Sequence, residues 1–184
     1  VSLIAGHENY QYNWENVSAT RTGFTIRTTQ LVAGSVAEGS SSYADVYALE
    51  GYLFRGDYSF SDKYYFSGSY RTDGSSRFYK DVRWGSFWSL GGSWRISKEP
   101  FMERFSWIND LKLKASFGEQ GNDDIGNYYG WQSLFSISGR NNGNYNGAIH
   151  IQLENKSLQW EKNANLNVGV EFVFLNRISG TIEY

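Results

Sequence analysis

Hydrophobic and polar residues alternate along much of the chain. Across residues 64–72, Tyr64, Phe66, Gly68, Tyr70 and Thr72 alternate with Tyr65, Ser67, Ser69 and Arg71. Across 86–96, Trp88, Leu90, Trp94 and Ile96 share one parity; Phe87, Ser89, Ser93 and Arg95 share the other. Residues 110–119 set Leu111, Leu113, Ala115 and Phe117 against Lys112, Lys114 and Ser116. The longest run, 160–174, sets Ala164, Leu166, Val168, Val170, Phe172 and Phe174 against Asn163, Asn165, Asn167 and Glu171. Period two with one apolar face predicts β-strands. Weaker alternation over 1–12, 46–60 and 178–184 brings the expected number of strands to seven.

The links between these runs alternate in length. Residues 61–63 and 175–177 are too short for anything but hairpin turns. Residues 98–109 carry Pro100 followed by Phe101, Met102, Phe105, Trp107 and Ile108, which predicts a short helix with proline in its first turn. The other three links, 13–45, 73–85 and 121–159, are long and polar. Tracing the chain up and down puts the three short links at one end of the sheet and the three long ones at the other. Outer-membrane barrels have this asymmetry, with short periplasmic turns and long extracellular loops. The four best runs also suit a tilted strand of about 9–11 residues crossing a bilayer. Tyr64, Tyr65, Trp88, Trp94, Trp160, Phe172 and Phe174 lie near strand ends, where interfacial aromatic girdles belong.

Composition narrows the choice. The chain has 184 residues, 17 basic and 19 acidic side chains, no cysteine and a single proline. A net charge of −2 gives no basic field for nucleic acid. Without cysteine there is no disulfide framework, thiolate metal site or thiol nucleophile. No apolar run approaches the roughly 18 residues of a membrane helix. A soluble antiparallel sandwich holding glycans would also alternate, but its strands average about 5–6 residues. With no initiator methionine and an alternation that runs to the last residue, the sequence reads as a piece of a longer chain.

Several stretches carry more than alternation. Tyr70-Arg71-Thr72-Asp73-Gly74-Ser75-Ser76-Arg77-Phe78 precedes Arg83-Trp84-Gly85-Ser86-Phe87-Trp88-Ser89. Then come Ser93-Trp94-Arg95-Ile96-Ser97-Lys98-Glu99-Pro100-Phe101-Met102 and Leu111-Lys112-Leu113-Lys114-Ala115-Ser116-Phe117-Gly118. Gly121-Asn122-Asp123-Asp124-Ile125-Gly126-Asn127-Tyr128-Tyr129 and Leu153-Glu154-Asn155-Lys156-Ser157-Leu158-Gln159-Trp160-Glu161-Lys162 complete the series. In order and spacing these resemble the C-terminal barrel portion of SusC/RagA-like, TonB-linked outer-membrane proteins. The resemblance implies an all-β fold, a segment of a large antiparallel transmembrane barrel, with residues 1–184 as a partial barrel domain. It also implies a plug outside this chain, energy from TonB, a SusD-like surface lipoprotein as partner, and an oligosaccharide (in some members a peptide) as ligand. A TonB-dependent receptor for iron chelates or cobalamin is the rival within the same fold. Seven strands alone would leave two open edges, which lipid does not tolerate.

Little else points to chemistry. Asp73-Gly74-Ser75-Ser76-Arg77 lies between two strands rather than before a helix, so it is not a phosphate loop. It reads as the start of an outer loop, with Asp73 and Arg77 expected to pair across it. Asp123 and Asp124 lack the ligand spacing of a calcium loop. His7 and His150 are too isolated to argue a metal site, and no carboxylate pair stands out as acid and nucleophile. No cofactor, metal or catalytic residue is expected. Arg71, Arg95, Lys112, Lys114, Asn163, Asn165, Asn167 and Glu171 are expected to line the lumen. Six outer-loop rings, Tyr79, Trp84, Tyr128, Tyr129, Trp131 and Tyr145, are the candidates for contact with ligand or lid, because ring faces stack on sugar C–H groups.

Overall fold

The computed structural model describes residues 1–137, 139 and 141–184. Its strands are β1 (Ser2–Thr22), β2 (Val36–Phe60), β3 (Tyr64–Ser75), β4 (Trp84–Arg95) and β5 (Ile108–Asn122), followed by β6 (Leu134–Ser136), β7 (Asn141–Asn142), β8 (Tyr145–Asn146), β9 (Ile149–Gln152), β10 (Glu161–Phe174) and β11 (Ile178–Glu183). One seven-stranded antiparallel sheet runs in the order β1-β2-β3-β4-β5-β10-β11. The seven expected strands are therefore present, each beside its predecessor among them.

Register sorts the side chains. Residues directly opposite each other share a face, so Phe66, Gly92, Ala115 and Val168 form one rung, and Gly68, Leu90, Phe117 and Leu166 the next. This face is open: Phe66 is 57% exposed, Leu90 61% and Leu166 58%. Among the described residues the only buried hydrophobic side chains are Phe78 and Phe87. A sandwich would bury such a face under a second sheet, so the soluble alternative fails. An uncovered apolar band suits lipid instead. Toward the turn end the band closes on rings, with Tyr64 stacked on Trp94 and Trp107 packed on Phe174.

The opposite face is polar and charge-paired. Arg71 reaches Glu8 at 2.8 Å and Asp73 at 2.7 Å, Lys114 reaches Glu171 at 2.9 Å, and Arg95 reaches Asp62 at 3.0 Å. All eight residues expected to line the lumen fall on this face by register.

Three expectations about the links need correction. The 13–45 link is mostly strand: β1 and β2 continue as a ladder to Thr22 and Val36, with a bulge at Thr20/Arg21. Here both faces meet solvent, so the backbone pairs without any apolar period to reveal it. In place of a helix, residues 98–109 hold two single 3-10 turns, the first beginning just before it, Ile96–Lys98 and Pro100–Met102. So short a stretch rarely sustains an α-helix by itself. Glu99 is also tied down, accepting from Lys63 at 3.0 Å, Tyr64 at 2.7 Å and Trp94 at 3.1 Å. Asp73 does not pair with Arg77. The strand runs on to Ser75, which puts Asp73 and Arg71 on one face two residues apart, and Arg77 turns toward Asp123 and Asp124. The two tight turns close as Phe60–Lys63 and Phe174–Arg177. Each has positive φ at both central residues, as a type I′ turn requires: Ser61 and Asp62, then Leu175 and Asn176.

Candidate functional site

At the loop end the wall splits, and the split builds the site. β4 pairs with β3 up to Trp84 but with β5 only from Ser89 downward. β5 and β10 continue together to Asn122 and Glu161. The wedge between β4 and β5 is filled by rings: Phe87 and Phe78 flank Trp160 at centroid distances of 5.4 and 5.7 Å. Trp160, just before β10, and Lys162 on β10 reach back across the wedge to Arg83 O, which also accepts from Ser75 N–H, and to Ser86 O, which β5 no longer covers. Trp160 Nε1 donates to Arg83 O at 2.7 Å and Lys162 Nζ to Ser86 O at 3.1 Å. The rings fit only because their neighbours are glycines. A Cβ at Gly121 would lie 2.1 Å from the Phe87 ring, and one at Gly85 2.6 Å from it.

Above the wedge the β3–β4 connection and the segment after β5 fold onto β2. Arg77 Nη1 donates to Asp123 O at 3.0 Å and to Asp124 Oδ1 at 2.7 Å. The Asp123 carboxylate accepts from Ser75 Oγ and from the Tyr47 hydroxyl, each at 2.7 Å. Burial pushes the Tyr47 hydroxyl pKa well up, and its bond to the Asp123 carboxylate adds to this, so it stays a neutral donor. The Gly126 N–H, and then the nearby Arg77 charge, hold Asp124 below the usual carboxylate range.

β3 ends opposite Leu49, leaving the β2 edge beyond it without a strand partner. Ser76 takes over first: its Oγ accepts from Ala48 N–H and its N–H donates to Ala48 O. The Tyr129 hydroxyl follows, accepting from Val46 N–H at 3.0 Å. Gln152 on β9 ties this segment to itself, donating to Tyr129 O and Gln132 O.

Four of the six candidate rings meet in this cap. Tyr79 and Trp131 form a tilted pair 5.4 Å apart, with Trp131 Nε1 donating to Ser76 O. Tyr128 lies near Tyr12 and Tyr47, beside Tyr129. Trp84 is elsewhere: it lies against Gly74 and near Tyr52 on the outward face. Tyr145, on the β7–β8 hairpin, is 80% exposed and has no ring partner among the described residues. Sequence reasoning passed over Tyr47 and Gln152, which nothing local marks, since their partners lie 76 and about two dozen positions away. No cluster of acids and histidines suited to a metal occurs among the described residues.

A one-layer sheet, apolar outside and polar inside, under a polar cap defines a segment of a membrane barrel. The family model described as TonB dependent receptor-like, beta-barrel, matches residues 3–184. The chain belongs to this family, in its SusC/RagA-like branch, and its sheet is part of an outer-membrane barrel. It is 36% identical over 149 residues to the TonB-dependent receptor SusC of Bacteroides thetaiotaomicron, covering 78% of this chain and 15% of that protein. It is also 36% identical over 145 residues to the TonB-dependent receptor P39 of Formosa agariphila, covering 76% of this chain and 13% of that one. In structure it resembles the RagAB peptide importer in its closed-closed state, with TM-score 0.89 and 28% identity over 98% of this chain and 20% of that one. The chain thus spans a fifth or less of these relatives' length.

Proposed function

We propose that residues 1–184 are a partial barrel domain of a TonB-dependent importer whose ligand is a neutral oligosaccharide and whose partner is a SusD-like surface lipoprotein. The observation that carries this reading is the chemistry of the inner wall. From β3 to β10 two successive rungs, Ser67-Gly91-Ser116-Asn167 and Ser69-Ser89-Gly118-Asn165, hold no charge. Where they continue onto β2 they meet Asp57 and Arg55, which pair with each other at 2.8 Å. The charges above and below these rungs are paired with one another. Hydroxyls and amides that both donate and accept suit a neutral, hydroxyl-rich solute better than a charged chelate. No covalent step is involved: the ligand is captured at the cap, TonB acts on a plug outside this chain, and a path opens along the wall.

The cap supports the lipoprotein as partner. On β9 and just beyond it, Ile149, Ile151 and Leu153 alternate outward from Gln152 and stay exposed, an apolar stripe beside the exposed Phe135 and Ile137. The test is the full-length receptor with Tyr129→Ala and Trp131→Ala. Uptake should fall while barrel abundance holds. Loss of lipoprotein co-purification would assign the loop to docking, and weakened glycan binding with the lipoprotein retained would assign it to ligand. Normal uptake with the lipoprotein bound would remove the loop from both roles.

Orientation is part of the same reading. The turns at 61–63, 98–109 and 175–177 face the periplasm, and the links at 13–45, 73–85 and 121–159 face outward. Labelling of an Asn176→Cys variant by an impermeant reagent on intact cells would overturn it. A second reading is peptide import, favoured by the likeness to the RagAB peptide importer. Competition of labelled oligosaccharide uptake by peptides separates the two.

A further inference from the structure

The cap converges on one cation. The Arg77 guanidinium lies over two neighbouring rings, 4.8 Å from the centroid of Tyr47 and 5.0 Å from that of Tyr128, which are themselves 5.8 Å apart. Its side chain is only 12% exposed, and its Nε is buried without a hydrogen-bond partner. One ring comes from β2; the other comes, with Asp123, from the segment after β5. Arg77 itself follows β3. Three stretches distant in sequence therefore meet at a single planar group. We propose that Arg77 is a positioning residue that locks the β3–β4 connection and the segment after β5 onto β2, so that the outer cap is presented as one rigid body.

The chemistry favours arginine specifically. A guanidinium spreads its weakly hydrated surface across the corner that the two rings form and keeps N–H donors free for oxygen acceptors. A lysine ammonium is a compact point charge that keeps the attraction to Asp123 but not the broad contact with both rings. Burial separates the two acids, not distance: the Asp124 carboxylate is 2.7 Å from Arg77 Nη1 and the Asp123 carboxylate 4.0 Å. Asp123 is 17% exposed and already holds Ser75 and Tyr47, whereas Asp124 is 69% exposed. Removing the cation would leave the Asp123 carboxylate largely desolvated with only two hydroxyl donors, a costly state. The rest of the cap depends on this node through the chain itself. Tyr128 leads directly into Tyr129, whose hydroxyl stands at the β2 edge, and Trp131 bonds the carbonyl of Ser76, the residue before Arg77.

The tether stands on geometry alone; its consequence for uptake rests on the transport reading above. Both are tested in the full-length receptor in intact cells. The first measurement is the rate of proteinase K cleavage within 121–159, normalised to folded, heat-modifiable barrel. Arg77→Ala should speed cleavage at least about tenfold, as expected when one partner of a buried pair is removed. Arg77→Lys should restore part of the protection. Asp123→Asn should behave like Arg77→Ala, and Asp124→Asn like the parent. The second measurement is uptake of a fluorescein-labelled neutral gluco-hexasaccharide. Arg77→Ala should raise the half-saturating concentration more than it lowers maximal uptake per barrel, which a mere loss of folded protein would not do. Should Arg77→Ala yield too little barrel, Tyr128→Leu keeps the charge pair, removes one ring, and must still speed cleavage. Unchanged cleavage in Arg77→Ala or Tyr128→Leu overturns the proposal, as does equal behaviour of the two aspartate variants. If the parent takes up no hexasaccharide, the substrate reading fails and the cleavage series still decides the tether.

Discussion

The wall and the cap are built from the same residue types by opposite means. In the wall, below the rung formed by Ser89 and Gly118, backbone ladders run strand to strand and the side chains sort by parity alone. In the cap, β4 and β5 part, and side chains replace the ladder: the Lys162 ammonium and the Tyr129 hydroxyl each bond a backbone group that a strand would otherwise have satisfied, and the Trp160 indole adds to the Arg83 carbonyl that Ser75 N–H already holds. The wall exposes its apolar residues, whereas the cap holds the two hydrophobic side chains that are buried among the described residues, Phe78 and Phe87. Lipid stabilises the first region, and a small private core the second.

That contrast is broken or upheld most forcefully at Phe78. Its ring is fully buried against Trp160. Truncating such a ring costs about 3–5 kcal/mol, and here the loss should stay local. Hydrogen exchange on the full-length barrel in detergent is expected to speed at least about a hundredfold in the 76–84 amides of Phe78→Ala, each tenfold being about 1.4 kcal/mol. Amides of β3 and β4 below Ser89 should keep their protection. If wall and cap loosen together, they are one cooperative unit and the distinction falls.

The same contrast explains what could be read from the chain. Parity from Tyr64 to Phe174 is a local signal, repeated wherever one face meets lipid, so strand order and the inward charges were legible. Beyond the membrane both faces of the β1–β2 hairpin meet water, the period disappears, and a ladder reaching Thr22 and Val36 looked like a loop. In the cap the ties are long-range. Arg77 to Asp123 spans 46 positions and Tyr129 to Val46 spans 83, with no spacing rule to announce them. Asp73 differs in kind: its partner Arg71 is two residues away, on the same face of a strand that continues where a turn is expected.

Two adjacent wall positions give the next test. Val168 points outward on the rung of Ala115 and Phe66, and Asn167 points inward on the rung of Ser116 and Gly91. Val168→Arg should cost about 2–4 kcal/mol if its depth is near the bilayer midplane, while Asn167→Arg should cost far less. Urea-driven unfolding of the full-length receptor from vesicles measures both. Equal costs would mean that the sheet does not separate lipid from lumen.

The smallest effect lies at the turn end of the wall. Leu175 has φ of 53° at the first central position of its turn, and Asn176 has 54° at the second. A left-handed backbone costs an ordinary L-residue about 1–2 kcal/mol, and asparagine much less. The Leu175 N–H donates to Trp107 O at 2.9 Å, a bond any residue keeps, and its side chain is 59% exposed. Strain relief alone therefore predicts that Leu175→Asn stabilises the barrel by about 0.5–1 kcal/mol. It would be read as slower unfolding in denaturant, with folding little changed if the turn forms late. The opposite sign would be equally informative. Trp107 and Phe174 pack together beside this turn, and a leucine among interfacial rings can hold the turn in the headgroup region. Destabilisation by asparagine would move the lower edge of the lipid-facing wall past Phe174 to include the turn itself.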